Sequence, residues 1–143
     1  MTRVRLVAIV VSSVALVGCW SAAPRAGSSG AVQVADDVSY VLDDGEQLHR
    51  EFPDTFGIPS AKDRTNLKPG QIVKLMFRIT AGKEELVERM WVIVARKDGS
   101  GFVGELDNQP TLTDKMRPGM PVRFEPRHVI DIYSKQVQPS KRQ

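Results

Sequence analysis

The sequence predicts an α+β domain that is mainly β, built as a small twisted antiparallel sheet or partly open barrel with one or two short helices and an extended N-terminal arm. Short runs of alternating apolar and polar residues, each of strand length, follow one another between residues 71 and 133. Pro-Gly and Asp-Gly pairs separate several of these runs, and such pairs supply the backbone conformations of tight turns. Residues 40–133 are therefore expected to form one domain, at about the smallest size at which one core suffices without disulfides.

The segment before the sheet is expected to hold the short helices and the arm. Asp43–Arg50 can form a short helix, whereas residues 52–59 contain two prolines and must be extended or turning. Ser60 is placed to cap a second short helix, with Asp63 at the third helical position like the acidic partner of a capping box. The apolar side chains of residues 52–59 are expected to hold this arm against the core.

The predicted sheet is built from runs in which alternate residues are apolar, so that one side of each strand faces inward. Glu84–Arg89 is expected to be a charged connection and Lys97–Gly101 a hairpin loop. The runs, in chain order, are Gln71–Ile79, Met90–Arg96, Phe102–Leu106, Val122–Phe124 and, as a strand or short helix, His128–Tyr133. The residues expected to form the central core are Val73, Leu75, Phe77, Val92, Val94, Val103, Leu106, Val122, Phe124 and Ile130.

The N-terminus has the features of an export signal. Two arginines precede the apolar run Leu6–Val17, which is too short for a membrane-spanning helix. The residues that close this run, Leu16-Val17-Gly18-Cys19, resemble the lipobox of bacterial lipoproteins, which implies a lipid on Cys19 and cleavage just before it. The predicted organisation is a signal peptide at 1–18, a lipidated flexible tether at 19–39, a globular domain at 40–133 and a disordered basic tail at 134–143.

Composition limits the functions that this chain can have. The formal net charge is +3, but Arg3 and Arg5 belong to the signal peptide, which leaves 18 basic residues against 17 acidic ones. A mature charge near +1 gives no electrostatic case for nucleic-acid binding. With Cys19 acylated and only two histidines in the chain, we expect no disulfide, no metal site and no cofactor.

Several motifs of the folded part resemble one known family. They are Phe52-Pro53-Asp54-Thr55-Phe56, Leu67-Lys68-Pro69-Gly70, Glu88-Arg89-Met90-Trp91-Val92, Gly101-Phe102-Val103-Gly104-Glu105-Leu106-Asp107-Asn108-Gln109-Pro110 and the stretch from Val122 to Ile132. These motifs resemble the YegJ-like bacterial domain of unknown function (domain of unknown function 2314). The resemblance implies the fold and a kinship with small domains linked to toxin immunity. It implies no catalytic residue, because the family has no established activity.

Two places in the predicted sheet are candidates for a binding surface. Trp91 lies on a strand that is apolar on both faces, so it is either core or the aromatic anchor of a groove, and we expect Phe52 or Phe56 to pack against it. Asp107 and Asn108 follow a strand end, where they could bind a ligand or close the strand as an Asx-turn. The candidate binding surface therefore comprises Trp91, Phe52, Phe56, Asp107 and Asn108, and we identify no catalytic residue.

Two classes of function remain open at this point. The first is a non-enzymatic binding or structural domain, tethered to the cell envelope through the lipid on Cys19, with a protein or peptide partner and an immunity-like role as its sharper form. Because Trp20 rather than Asp follows Cys19, the resemblance to lipoproteins of two-membrane bacteria leaves outer-membrane sorting permitted, and we expect an outer-membrane location facing the periplasm. The alternative is a small hydrolase or ligand-processing enzyme that uses Asp107, Asn108 and His128, which requires these side chains to converge in one pocket.

Overall fold

The computed structural model describes residues 30–134 and confirms the mainly β fold, with the strands forming a curled half-barrel. The expected signal peptide, Cys19 and nearly all of the basic tail lie outside these residues. The strands are β1 Val32–Ala35, β2 Val38–Leu42, β3 Ile72–Ala81, β4 Glu84–Asp98, β5 Gly101–Leu106, β6 Pro121–Phe124 and β7 Val129–Ile132. The helices are α1 Gly45–Glu51 and α2 Ala61–Thr65, and a 3₁₀ turn spans Pro126–His128. Within the described part, no helix combines the length and apolar character needed to cross a membrane.

The strands form one antiparallel sheet in which β1 to β6 follow one another in chain order. The last strand departs from this order, because β7 pairs with β3. β3 is long enough to hold two neighbours end to end along one side: β7 pairs with Val73–Leu75, and β2 pairs with Phe77–Ala81. The other side of β3 pairs with β4 along its whole length. β3 is therefore the central strand, and its inward side chains form the middle of the core.

The sheet begins earlier than expected, which corrects the boundary of the tether. β1 and the start of β2 lie within residues 19–39, and Val38 is as buried as the central core residues. The alternation in β1 is short, and a register shift between Gln33 and Ala35 interrupts its pairing with β2. A bulge of this kind places one additional residue on one strand, so a strict period of two is not visible in the sequence.

The expected charged connection at Glu84–Arg89 is also corrected, because these residues form the first part of β4. They pair with the second half of β3, and the turn between the two strands contains Gly82 at a φ of 61°. Most of these residues are exposed on this projecting hairpin. Charged side chains can therefore stay hydrated while the backbone keeps its strand hydrogen bonds.

The concave face of the sheet forms the core, and every predicted core residue except Val103 is buried. The prediction for Val103 is wrong. Phe102, Gly104 and Leu106 of the same strand face inward, so Val103 lies on the convex face opposite Arg123. Phe102 takes the expected place, and its ring stacks on Phe124 with the centroids 5.6 Å apart. The remaining members of the core are Val38, Tyr40, Leu67, Ile79, Met90, Met116 and Val129.

Candidate binding surface

Trp91 lies on the convex face of β4, opposite the face that carries Met90 and Val92, as its position in the strand predicts. Its cross-strand neighbour on β3 is Lys74, and the neighbour of Lys74 on β7 is Asp131. One row across three strands therefore contains an aromatic ring, an ammonium group and a carboxylate.

The side chains of this row contact one another. The Lys74 ammonium lies 4.2 Å from the centroid of the Trp91 ring and 3.1 Å from a carboxylate oxygen of Asp131. The ring of Tyr133 meets Trp91 edge-on at 5.9 Å and is itself 55% exposed. A partly exposed cation–π contact contributes about 0.5–1 kcal/mol, so it orients the lysine more than it stabilises the fold. We call these four residues, Trp91, Lys74, Asp131 and Tyr133, the Trp91 surface.

The prediction that Phe52 or Phe56 packs against Trp91 is wrong, because the aromatic residue beside Trp91 is Tyr133. Phe56 lies against Arg89, whose guanidinium carbon is 5.9 Å from the ring centroid, and Phe52 is exposed. The backbone explains this placement, because the carbonyl of Phe56 is 2.7 Å from Nδ1 of His49 on α1. The arm is thus fastened to α1. Tyr133 occupies the place predicted for the phenylalanines, and its separation of two residues from Asp131 could have indicated the shared face.

Asp107 and Asn108 continue the pairing of β4 beyond the end of β5. The Asp107 amide donates to the carbonyl of Trp91 at 2.9 Å, and the Trp91 amide donates to Oδ1 of Asn108 at 2.6 Å. The side-chain oxygen of Asn108 thereby takes the position of a backbone carbonyl oxygen in the hydrogen bonding between strands. This pair of residues fixes the backbone of Trp91, whereas the side chain of Asp107 is exposed.

His128 lies away from Asp107 and Asn108, which contradicts the convergence that the hydrolase alternative requires. The histidine immediately precedes β7, and the strand order places β3 and β4 between β7 and β5. Three strand spacings along the sheet correspond to about 14 Å, well beyond hydrogen-bond reach. The ring of His128 instead has a local role, because its Nδ1 accepts a hydrogen bond from the Glu125 amide at 3.0 Å.

The environment of His128 makes the stability of the fold depend on pH. Burial lowers the pKa of His128 below its ordinary value of 6.5, and the charge of Arg127 lowers that pKa further, although Glu125 and Asp44 oppose the shift. The unfolded chain therefore binds this proton at a higher pH than the folded chain does. Protonation would also remove the lone pair that accepts from the Glu125 amide.

We expect the free energy of unfolding to fall as the pH drops from about 7 through the lowered pKa of His128. Urea unfolding at pH 7.5 and pH 5.5 measures this loss, because most carboxylates titrate below that interval. His128→Gln should show a smaller difference between the two pH values than the unsubstituted chain, and His49→Gln serves as the matched control. An equal pH dependence in both variants would contradict this role of His128.

A second feature, which the sequence did not indicate, is the carboxylate of Glu88. It accepts hydrogen bonds from the amides of Thr111 and Leu112 at 2.9–3.0 Å, and this holds the loop between β5 and β6 near the sheet. An open cleft of about 620 Å³ lies between this loop and the β1–β2 turn, lined by Asp37, Val38, Ala81, Arg117 and residues 109–115. Among residues 30–134, no three histidine, aspartate or glutamate side chains are grouped as metal ligands would be.

The fold and this surface define a small, curled, mainly β domain with an aromatic and charged row on its convex face. A family model described as "Uncharacterized protein conserved in bacteria (DUF2314)" matches residues 62–138. The match covers more than half of the chain, and the chain belongs to this family, as its motifs indicate. The matched residues include all four residues of the Trp91 surface. No curated protein and no solved structure matches the chain.

Proposed function

We propose that this protein is a bacterial cell-envelope lipoprotein whose domain binds a protein or peptide partner through the Trp91 surface, without catalysing a reaction. The lipobox-like residues that end at Cys19 support the membrane anchor. Ten residues separate Cys19 from Gly30, where the described domain begins, and such a segment spans at most about 35 Å. The domain would therefore meet its partner close to the membrane.

The Trp91 surface is the observation that carries the binding proposal. Aromatic side chains are enriched at protein interfaces, because one ring buries a large apolar area at a small cost in side-chain entropy. Here the backbone of Trp91 is fixed by hydrogen bonds to Asp107 and Asn108, and the ring of Tyr133 beside it is exposed. Lys74 and Asp131 add one charge of each sign, which would orient a partner with the complementary pair.

The anchor is tested first, by labelling cells with palmitate. The wild-type chain and Ser21→Ala are expected to incorporate the label, and the mass of each protein should show that residues 1–18 have been removed. Cys19→Ser should incorporate none, because serine offers no sulfur for lipid transfer. A full-length, unlabelled wild-type chain would contradict the anchor.

A deletion strain tests the sharper form of the binding proposal, which is protection against a toxin delivered by neighbouring cells. Deleting the gene should raise killing by sibling or competitor cells, and the wild-type gene should restore survival. Trp91→Ala should not restore it, whereas Phe52→Ala should, because Phe52 is an exposed aromatic residue that lies outside the Trp91 surface. Unchanged killing after deletion would contradict the protective role, and full rescue by Trp91→Ala would contradict the surface.

A further inference from the structure

Four strand edges of the described part have no neighbouring strand: the outer edges of β1, β6 and β7, and the first part of β4 on the side of β5. A free edge exposes unpaired amides and carbonyls that can pair with another chain, and natural proteins block such edges with charges or proline. The edges of β6 and β4 are blocked in this way, and the edge of β7 carries Asp131 and lies against the start of α1. β6 begins with Pro121 and carries Arg123, which is ion-paired with Asp98, and residues 84–89 of β4 are mostly charged.

The edge of β1 has no such protection. Residues 30–35 contain neither a charge nor a proline, and Val32 on this edge is 46% exposed. Val32 is in register with the buried Tyr40, so its side chain lies on the concave side of the sheet. The free edge of β1 therefore offers both backbone hydrogen bonds and an uncovered valine.

The sequence of this edge identifies the strand that fits it. Residues 31–35 read Ala-Val-Gln-Val-Ala, which is the same in both directions around Gln33. Two such strands in antiparallel alignment about a two-fold axis at Gln33 place Val32 of each copy opposite Val34 of the other. Asp36 then lies opposite Gly30, so no charge faces a like charge along the pairing.

We propose that β1 pairs with β1 of a second copy of this chain, joining two half-barrels into one continuous sheet across a two-fold axis. The bulge between Gln33 and Ala35 keeps this ladder short. The contact buries less area than the roughly 1,200 Å² of a stable complex, so it depends on the copies being held close together. In that respect the inference rests on the proposed lipid anchor, which confines all copies to one membrane surface.

The test is disulfide cross-linking of the full chain in cells with a mild oxidant. Facing residues of an antiparallel pair have Cα atoms about 4.5–5.5 Å apart, which lies within the range that a disulfide spans. Gln33→Cys should therefore form a covalent dimer. Val87→Cys is the matched control, because Val87 is an exposed residue on the charged β4 edge. We expect about tenfold more dimer from Gln33→Cys than from Val87→Cys in membranes.

A second pair of variants separates edge pairing from random collision. Adding Val32→Lys to Gln33→Cys should reduce the dimer to the level of Val87→Cys, because a lysine blocks the edge, and adding Val87→Lys should leave it unchanged. Equal dimer yields from Gln33→Cys and Val87→Cys, or an adduct with the mass of another protein, would overturn self-pairing.

The same comparison in a Cys19→Ser background separates this inference from the anchor. Purified at high concentration, Gln33→Cys should still give more dimer than Val87→Cys, although with a lower yield than in membranes. If palmitate labelling fails but this difference persists, the anchor is wrong and β1 pairing stands. If labelling succeeds and the difference is absent, the anchor stands and β1 pairing is wrong.

Discussion

Phe77→Ala is expected to lower the free energy of unfolding by about 3–5 kcal/mol, the range for truncating a buried aromatic residue. Phe77 is fully buried on β3, the central strand, and its ring lies 5.2 Å from the ring of Tyr40. Truncation would leave a cavity bounded by β2, β3 and β4, whose hydrogen bonding prevents the sheet from closing around it. A domain of this size has about 5–15 kcal/mol of stability in total, so the variant should be only marginally folded.

Urea unfolding followed by circular dichroism measures this loss. Met76→Ala is the matched control, because Met76 is the preceding residue on the same strand, half-buried on the convex face. Its loss should be clearly smaller, since a partly exposed site leaves less cavity. Similar losses for the two variants would contradict the assignment of the concave face as the core.

Arg64→Ala is expected to lower the free energy of unfolding by about 3 kcal/mol. Arg64 lies on α2 and is only 4% exposed, and it donates to a carboxylate oxygen of Glu46 at 2.6 Å. It also donates to the carbonyls of Pro59 and Pro126 at 2.9 Å. Its removal would leave two carbonyls without their charged donor and would separate α1, α2 and the 3₁₀ turn. Because Glu46 is partly exposed and can rehydrate, the loss should lie at the lower end of the range for buried pairs.

Arg50→Ala tests whether burial gives Arg64 this effect. Arg50 approaches the same Glu46 side chain, but at 4.0 Å and with its own side chain 67% exposed. Exposed ion pairs contribute about 0–1 kcal/mol, so this variant should unfold almost as the wild type does. Equal midpoints for the two variants would show that the contacts of Arg64 with the backbone add nothing.

The sequence predicted the local geometry of the sheet well where a strand follows a strict alternation. β3 shows this most clearly, because each second side chain from Val73 to Ile79 is buried, as its pattern indicates. The same rule placed Trp91 on the face opposite Val92. It was misapplied at Val103, which lies three positions before Leu106, and residues at an odd offset in a regular strand lie on opposite faces.

The candidate site was predicted in part. Trp91 was identified because the period of its strand places the indole on the face opposite the core. An indole at such a position is either covered by another segment or available to a partner. Asn108 was identified as a turn residue or ligand, but its bond to the Trp91 amide depends on where β5 ends relative to β4. Glu88 was missed, because its partners at Thr111 and Leu112 are more than twenty residues away in a loop without regular structure.

By itself, the sequence determined which residues of the central strands face inward, where most of the turns after residue 66 lie and which family the chain belongs to. Only the tertiary structure decided which segments lie side by side. β7 pairs with β3 beside the end of β2, and this brings Tyr133, rather than Phe56, to Trp91. The physical reason is the range of the interactions. Alternation and turn chemistry act between neighbours in the chain, whereas strand order is selected by the free energy of burying distant segments against one another.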